Sequence, residues 1–134
     1  MQYLLMCCID EKGWDAIPQT ERDGIMQEYG QWVHATTESG HYRGGAKLRG
    51  TASATTLREK NGKSVITDGP FAETKEQLGG YHVLECKDLD EALAIARRIP
   101  TLKVGGAIEV RPIDYPSERA TLVAADSSRA SIVA

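Results

Sequence analysis

The sequence predicts an α+β fold: a two-layer sandwich built as βαβ, then a hairpin, then a second βαβ. Three observations predict it. Tyr3 to Ile9 is a short run of bulky apolar residues on both faces, the pattern of a central strand. Two amphipathic helical stretches follow, each set between strand-like runs, and a helix joining two strands of one sheet packs its apolar side on that sheet. Between the two halves, Asn61-Gly62 separates two β-favouring runs, which is the signal for a tight type I′ hairpin.

Each element follows from local chemistry. Glu11 to Asp15, with Gly13, reads as a loop. The first helix begins near Pro18, Gln19 and Thr20, since Pro suits a first turn and Thr20 with Asp23 resembles a capping box. Ile25, Tyr29, Trp32, Val33 and Thr36 then share one helical face. Gly24 and Gly30 weaken this helix, and Gly40 is a natural stop. His41 to Leu48 is a second strand interrupted at Gly44-Gly45, where paired glycines predict a bulge or a close backbone approach. Thr55 to Lys60 and Lys63 to Thr67 form the hairpin, and Thr74 to Leu78 is expected to make a turn or two of helix. Tyr81 to Cys86 is a strand. Asp88 caps the second helix, whose apolar stripe is Leu89, Ala92, Leu93, Ala96 and Ile99; Pro100 ends it. Ala107 to Pro112 is the last strand.

Size and composition restrict the function. The chain has 134 residues, one domain's length, and its 41% apolar content suffices for a core. The domain is placed at residues 1–113, with a Ser- and Ala-rich tail over 114–134. The net charge of −3, with no basic stripe, disfavours nucleic acid. No run approaches the ~20 apolar residues of a membrane helix, and Met1 to Ile9 lacks the basic start of a signal peptide. Cys7, Cys8 and Cys86 are an odd set with two adjacent, a poor disulfide framework. They read as core thiols in a reducing cytoplasm. Metal spacings, a phosphate-binding glycine loop and a nucleophile elbow do not occur, so no metal or cofactor is expected. Because two helices can cover only one sheet face, the other is expected to be buried in a homodimer.

The chain is organised around Asp68-Gly69-Pro70-Phe71, continuing through Ala72-Glu73-Thr74-Lys75-Glu76-Gln77-Leu78-Gly79-Gly80-Tyr81. A strand runs into an acid, Gly-Pro turns the chain, and Gly79-Gly80 releases it into a new strand. Asp68 therefore either closes the turn through its own backbone or is held on rigid backbone as a catalytic acid or base. This stretch resembles the signature of the DGPF-domain proteins of the YciI-related (YCII) group, and Ala107 to Ile113 resembles that group's closing strand. The resemblance covers roughly Met1 to Ile113. It implies a ferredoxin-like two-layer sandwich of the dimeric α/β-barrel type.

The resemblance also implies a His–Asp pair in a subunit pocket, where a carboxylate orients an imidazole that moves a proton. Asp68 is the acid carried over. The helix position where the group's histidine is expected holds Glu28, Tyr29 or Gly30, so the partners of Asp68 are sought in His34 first and His41 second. Tyr29, Glu73 and Lys75 complete the candidates as substrate contacts. His82, on a central strand, reads as a buried, hydrogen-bonded structural residue, and Trp14 and Trp32 as packing residues. The expected function is a cytoplasmic, homodimeric, cofactor-independent acid/base enzyme of lyase-like type, or a small-molecule binder, with its pocket near the Asp68 turn. The alternative, also implied by the resemblance, is a non-enzymatic signalling or ligand-sensing partner linked to an extracytoplasmic-function sigma factor.

Overall fold

The computed structural model describes residues 1–114. Strand β1 spans Gln2–Ile9, β2 Tyr42–Lys47, β5 Gln77–Glu85 and β6 Ala107–Pro112. They form one antiparallel sheet in the order β2-β5-β1-β6. With helices α2 (Gln19–Glu38) and α3 (Leu89–Ala96) this is the ferredoxin-like sandwich that the element order predicts. Strands β3 (Thr55–Lys60) and β4 (Lys63–Asp68) form a separate two-stranded ribbon inserted between β2 and β5.

The core lies between the sheet and the helices. Tyr3, Leu5 and Cys7 of β1 are buried, as are Leu84 and Cys86 from the β5 side. Trp32 of α2 and Ala92 and Ala96 of α3 close over them. Alternate β1 residues Leu4, Met6 and Cys8 point to the opposite face and are only half-buried. Trp32 fixes the helical layer: its indole N–H donates to the Ile95 carbonyl at 2.9 Å, tying α2 to α3.

Four local expectations are corrected. Glu11 to Asp15 is not a loop but belongs to helix α1, Glu11–Ala16. Asp10 makes it helical: its carboxylate accepts from the Lys12 N–H at 3.2 Å and its carbonyl from the Trp14 N–H at 2.9 Å. The Thr20–Asp23 capping box does not form, because Pro18 holds the cap position, two residues earlier, and Gln19 Nε2 donates to Asp23 Oδ1 at 2.7 Å. Thr74 to Leu78 makes no helix. Gln77 and Leu78 are claimed by the ladder with Ile9 and Cys8, and a long-range pairing wins over a short stretch of helix propensity. Leu89, in the first turn of α3, lies outside the buried stripe at 47% exposure, and the helix buries Ala92 and Ala96 instead.

Other elements match their expectations. Asp88 caps α3 by accepting from the Glu91 N–H at 2.9 Å, and Gly40 ends α2 at φ 83°. Asn61 and Gly62 have φ of 54° and 77°, the signs that a type I′ turn requires. Asn tolerates that left-handed backbone, whereas a β-branched residue is strained there by about 1–2 kcal/mol. Asn61→Val should therefore speed amide exchange across β3 and β4 while leaving the main sheet protected. Unchanged exchange in the ribbon would contradict this account of the turn.

Candidate functional site

The paired glycines of β2 set up the site. A bulge between Tyr42 and Gly44 displaces the strand, with Gly44 at φ 143°. Gly45 then passes hard against β5. A Cβ there would lie 2.4 Å from the Tyr81 carbonyl oxygen, 2.5 Å from Tyr42 Oη and 2.6 Å from His82 Nδ1. Only glycine lets β2 approach closely enough for Tyr42 to meet His82.

His82 is a buried imidazole with 5% exposure, projecting from β5 toward the helices. Tyr42 Oη lies 2.8 Å from its Nδ1, and Tyr29 Oη, from α2, lies 2.6 Å from its Nε2. Tyr29 Oη is also 3.2 Å from Cys7 Sγ of β1. Trp32 packs on the imidazole, ring centres 4.9 Å apart. Four elements thus deliver one continuous hydrogen-bonded chain: Cys7, Tyr29, His82, Tyr42.

Burial settles the charges. Removing the imidazole from water lowers the His82 pKa to about 4, so the ring is neutral at pH 7. Burial likewise raises the Tyr29 and Tyr42 phenols, and Tyr29 is raised further by its bond to Cys7. Burial raises the Cys7 thiol as well. Every member is therefore uncharged and protonated as a neutral donor–acceptor at physiological pH.

The chain opens on a cavity of about 280 Å³ lined by Cys7, Tyr29 and His82. Ile9, Trp14, Met26 and Leu48 supply apolar wall, and Lys47 and Arg49 also line it. Glu11 contributes to the wall but its carboxylate is engaged: Oε1 accepts from the Thr51 N–H at 2.9 Å and Oε2 from the Thr51 hydroxyl at 3.0 Å. Gly80 also lines the cavity, and β2 lies close against it: a Cβ there would come within 3.0 Å of the Ala46 carbonyl oxygen.

Of the residues singled out from the sequence, Tyr29 lines this cavity. His34 is exposed on α2. His41 bonds through Nδ1 to Ser39 Oγ at 2.7 Å and through Nε2 to Glu91 Oε1 at 3.2 Å, so it links the start of β2 to α3. Asp68 is exposed at the end of β4, opposite Thr55. Glu73 and Lys75 are exposed, and Lys75 borders a second depression with Glu76 and Trp14. Within one chain Asp68, His34 and His41 are not brought to the cavity that holds Tyr29. Sequence reasoning left out Cys7, Tyr42 and His82 as site residues. Gly44-Gly45, which announces a close backbone approach, was the available signal for the last two.

Among the described residues no group of three or more His, Cys, Asp and Glu could hold a metal ion. No described helix is long and apolar enough to cross a membrane.

Residues 1–115 match the family model of the YCII-related domain. An uncharacterised protein of Rhizobium meliloti strain 1021 is 38% identical over 114 residues, covering 84% of this chain and 92% of the relative. Among solved structures, the 5-chloro-2-hydroxyhydroquinone dehydrochlorinase of Burkholderia phenoliruptrix AC1100, in complex with 2,5-dihydroxybenzoquinone, superposes with a TM-score of 0.52 at 14% identity. That match covers 89% of this chain and 99% of the neighbour, and it shows a shared fold.

Two outcomes test the geometry. Gly45→Ala should destabilise the protein and separate Tyr42 from His82; wild-type stability with an unchanged His82 resonance would contradict the close approach. The His82 pKa also predicts a pH dependence. The unfolded chain binds a proton near pH 6.5 and the folded one near 4, so between those values the unfolded state binds more protons. Stability should fall as pH drops through this window, by roughly 3 kcal/mol in all. Denaturant titrations from pH 7 to 4 should show that loss in wild type, and His82→Gln should lack this component.

Proposed function

The chain belongs to the YCII-related domain family, and from that premise we propose that it is a small acid/base enzyme of lyase-like type whose reaction centre is the Tyr29–His82 pair in the cavity. The observation that carries the reading is the 2.6 Å contact between Tyr29 Oη and His82 Nε2, at the floor of an apolar cavity. A phenol and a neutral imidazole in contact, shielded from water, can hold and move a proton without a carboxylate. Proton transfer of this kind proceeds on the chain's own side chains. The cavity volume suits a molecule about the size of a single ring, since an engineered apolar cavity of ~150 Å³ takes benzene. The structural neighbour is a dehydrochlorinase in complex with 2,5-dihydroxybenzoquinone, which supports a small organic substrate and an elimination.

The working form is proposed to be a cytoplasmic homodimer. Leu4 and Met6 lie on the sheet face that carries no helix, with Val83 between them and β2. A second copy covering that face would bury the ~1,200–2,000 Å² usual for a stable interface. Asp68, Glu73 and Lys75 stand on an exposed segment, and they enter the proposal across the subunit boundary, toward a partner's cavity. The ligand-sensing alternative would use the same cavity without turnover.

The test is a thermal-shift screen of small hydroxylated ring compounds and organic acids, followed by turnover assays on the hits. A ligand that binds the folded state raises the midpoint. Tyr29→Phe and His82→Gln should each lower turnover by about 10²-fold or more while the protein stays folded. A hit consumed equally fast by His82→Gln would overturn the assignment, and binding without turnover would leave the sensing role in its place. Light scattering at micromolar concentration should give a dimer; a monomer would refute that part.

A further inference from the structure

The hydrogen-bonded chain has a direction, and that direction fixes what the cavity offers a ligand. Tyr42 Oη has one hydrogen-bond partner among the described residues, His82 Nδ1 at 2.8 Å. A part-buried phenol with a single partner satisfies its proton there, so Tyr42 donates and Nδ1 accepts. A neutral imidazole that accepts at Nδ1 carries its proton on Nε2. Nε2–H then donates to Tyr29 Oη, 2.6 Å away. With its oxygen already accepting, Tyr29 keeps its own proton free to donate. Its remaining neighbour is Cys7 Sγ at 3.2 Å, a weak acceptor, and both residues line the cavity. The opposite direction would leave the Tyr42 proton without an acceptor among the described residues.

We propose that Tyr42 is a positioning residue that sets the Nε2–H tautomer of His82, so that Tyr29 presents a hydroxyl donor to the cavity and selects ligands that place an acceptor oxygen (a carbonyl, enolate or phenolate) against it. The second observation concerns charge. Lys47 and Arg49 line the same cavity and, among the described residues, make no ion pair; of the two carboxylates that also line it, Glu11 is turned to the Thr51 N–H and hydroxyl, and Asp15 is solvent-exposed. Donor and cations favour the same ligand class, a small planar oxyanion or carbonyl compound with an apolar body. The ligand part rests on the cavity being the binding site proposed above; the tautomer part does not.

The tautomer is read by nitrogen NMR on ring-labelled histidine, without any ligand. In wild type, His82 should show a protonated Nε2 and an unprotonated, hydrogen-bonded Nδ1. The reverse pattern would overturn the direction of the chain. In Tyr42→Phe the two ring nitrogens should move toward each other as the tautomers mix, whereas in Tyr29→Phe the Nε2–H form should persist. Unchanged His82 signals in folded Tyr42→Phe would overturn the positioning role. The ligand class is read with 4-nitrophenol, whose colour reports its ionisation. It should bind as the phenolate, with the apparent pKa of the bound probe lowered, and Tyr29→Phe should weaken binding at least tenfold. Binding as the neutral phenol, equal binding by Tyr29→Phe, or no binding at millimolar probe would each overturn it. A failure confined to the probe leaves the tautomer result standing and tells against the ligand class alone.

Discussion

The site depends on a buried imidazole that must be satisfied at both nitrogens. His82 is nearly inaccessible, and an unpaired polar group at that depth costs on the order of 1–3 kcal/mol. Its two partners come from different layers: Tyr29 from the helix above the sheet and Tyr42 from the neighbouring strand. Meeting this demand constrains both layers at once. Helix α2 must lie where its Tyr29 reaches Nε2, and β2 must come close enough for Tyr42 to reach Nδ1. Gly45 is the consequence, since any side chain there would collide with the very groups that have to meet. Trp32 completes the arrangement by packing on the imidazole and binding α3 through its indole N–H.

The cavity arises from the same departures from regularity. Between Cys7 and Cys8 the pairing of β1 with β5 slips, so that Gly79 has no direct partner and the sheet opens locally. Gly80 adds no side chain to the floor. The bulge at Tyr42 and Gly44 lies at the other edge of β5. Two irregularities on either side of one strand thus bracket His82. They leave a void beside it that a flat, regular sheet would have filled.

The sequence carried the fold more clearly than the site, for a physical reason. Periodicity and turn chemistry are local, and they placed β1, β2, α3, β6 and the Asn61-Gly62 turn close to their observed positions. Helix α1 was missed because its start depends on one capping acid, Asp10, in a segment with a glycine and no apolar stripe. The expected helix at Thr74 to Leu78 failed because residues 77 and 78 pair with a strand almost seventy positions earlier in the chain. The site is more distant still in sequence. Tyr29 and His82 are 53 residues apart, and Tyr42 and His82 are 40. No short motif joins them. His82 looked like a structural histidine because its burial was legible and its partners were not. Periodicity placed Tyr29 on the buried face of its helix, and the position marked by the family resemblance made it a site candidate.

The signature stretch itself divides in two. Its first part, Asp68 to Phe71, belongs to the ribbon: the Gly69 N–H donates to the Ala54 carbonyl at 2.7 Å, and the Thr56 hydroxyl donates to the Gly69 carbonyl at 2.7 Å. Its last part builds the cavity. Gln77 Oε1 accepts from the Glu11 N–H at 2.9 Å, and Glu11 in turn holds Thr51 through its carboxylate. Gly79 and Gly80 then line the opening before the chain reaches His82. One continuous segment therefore connects an exposed ribbon, with Leu57, Ile66 and Phe71 uncovered in the single chain, to the wall of the cavity beside His82. A two-stranded ribbon has little stability of its own. The signature and the site are thus joined by continuous backbone, and the buried Tyr29–His82 contact is made by residues outside the signature's acidic half.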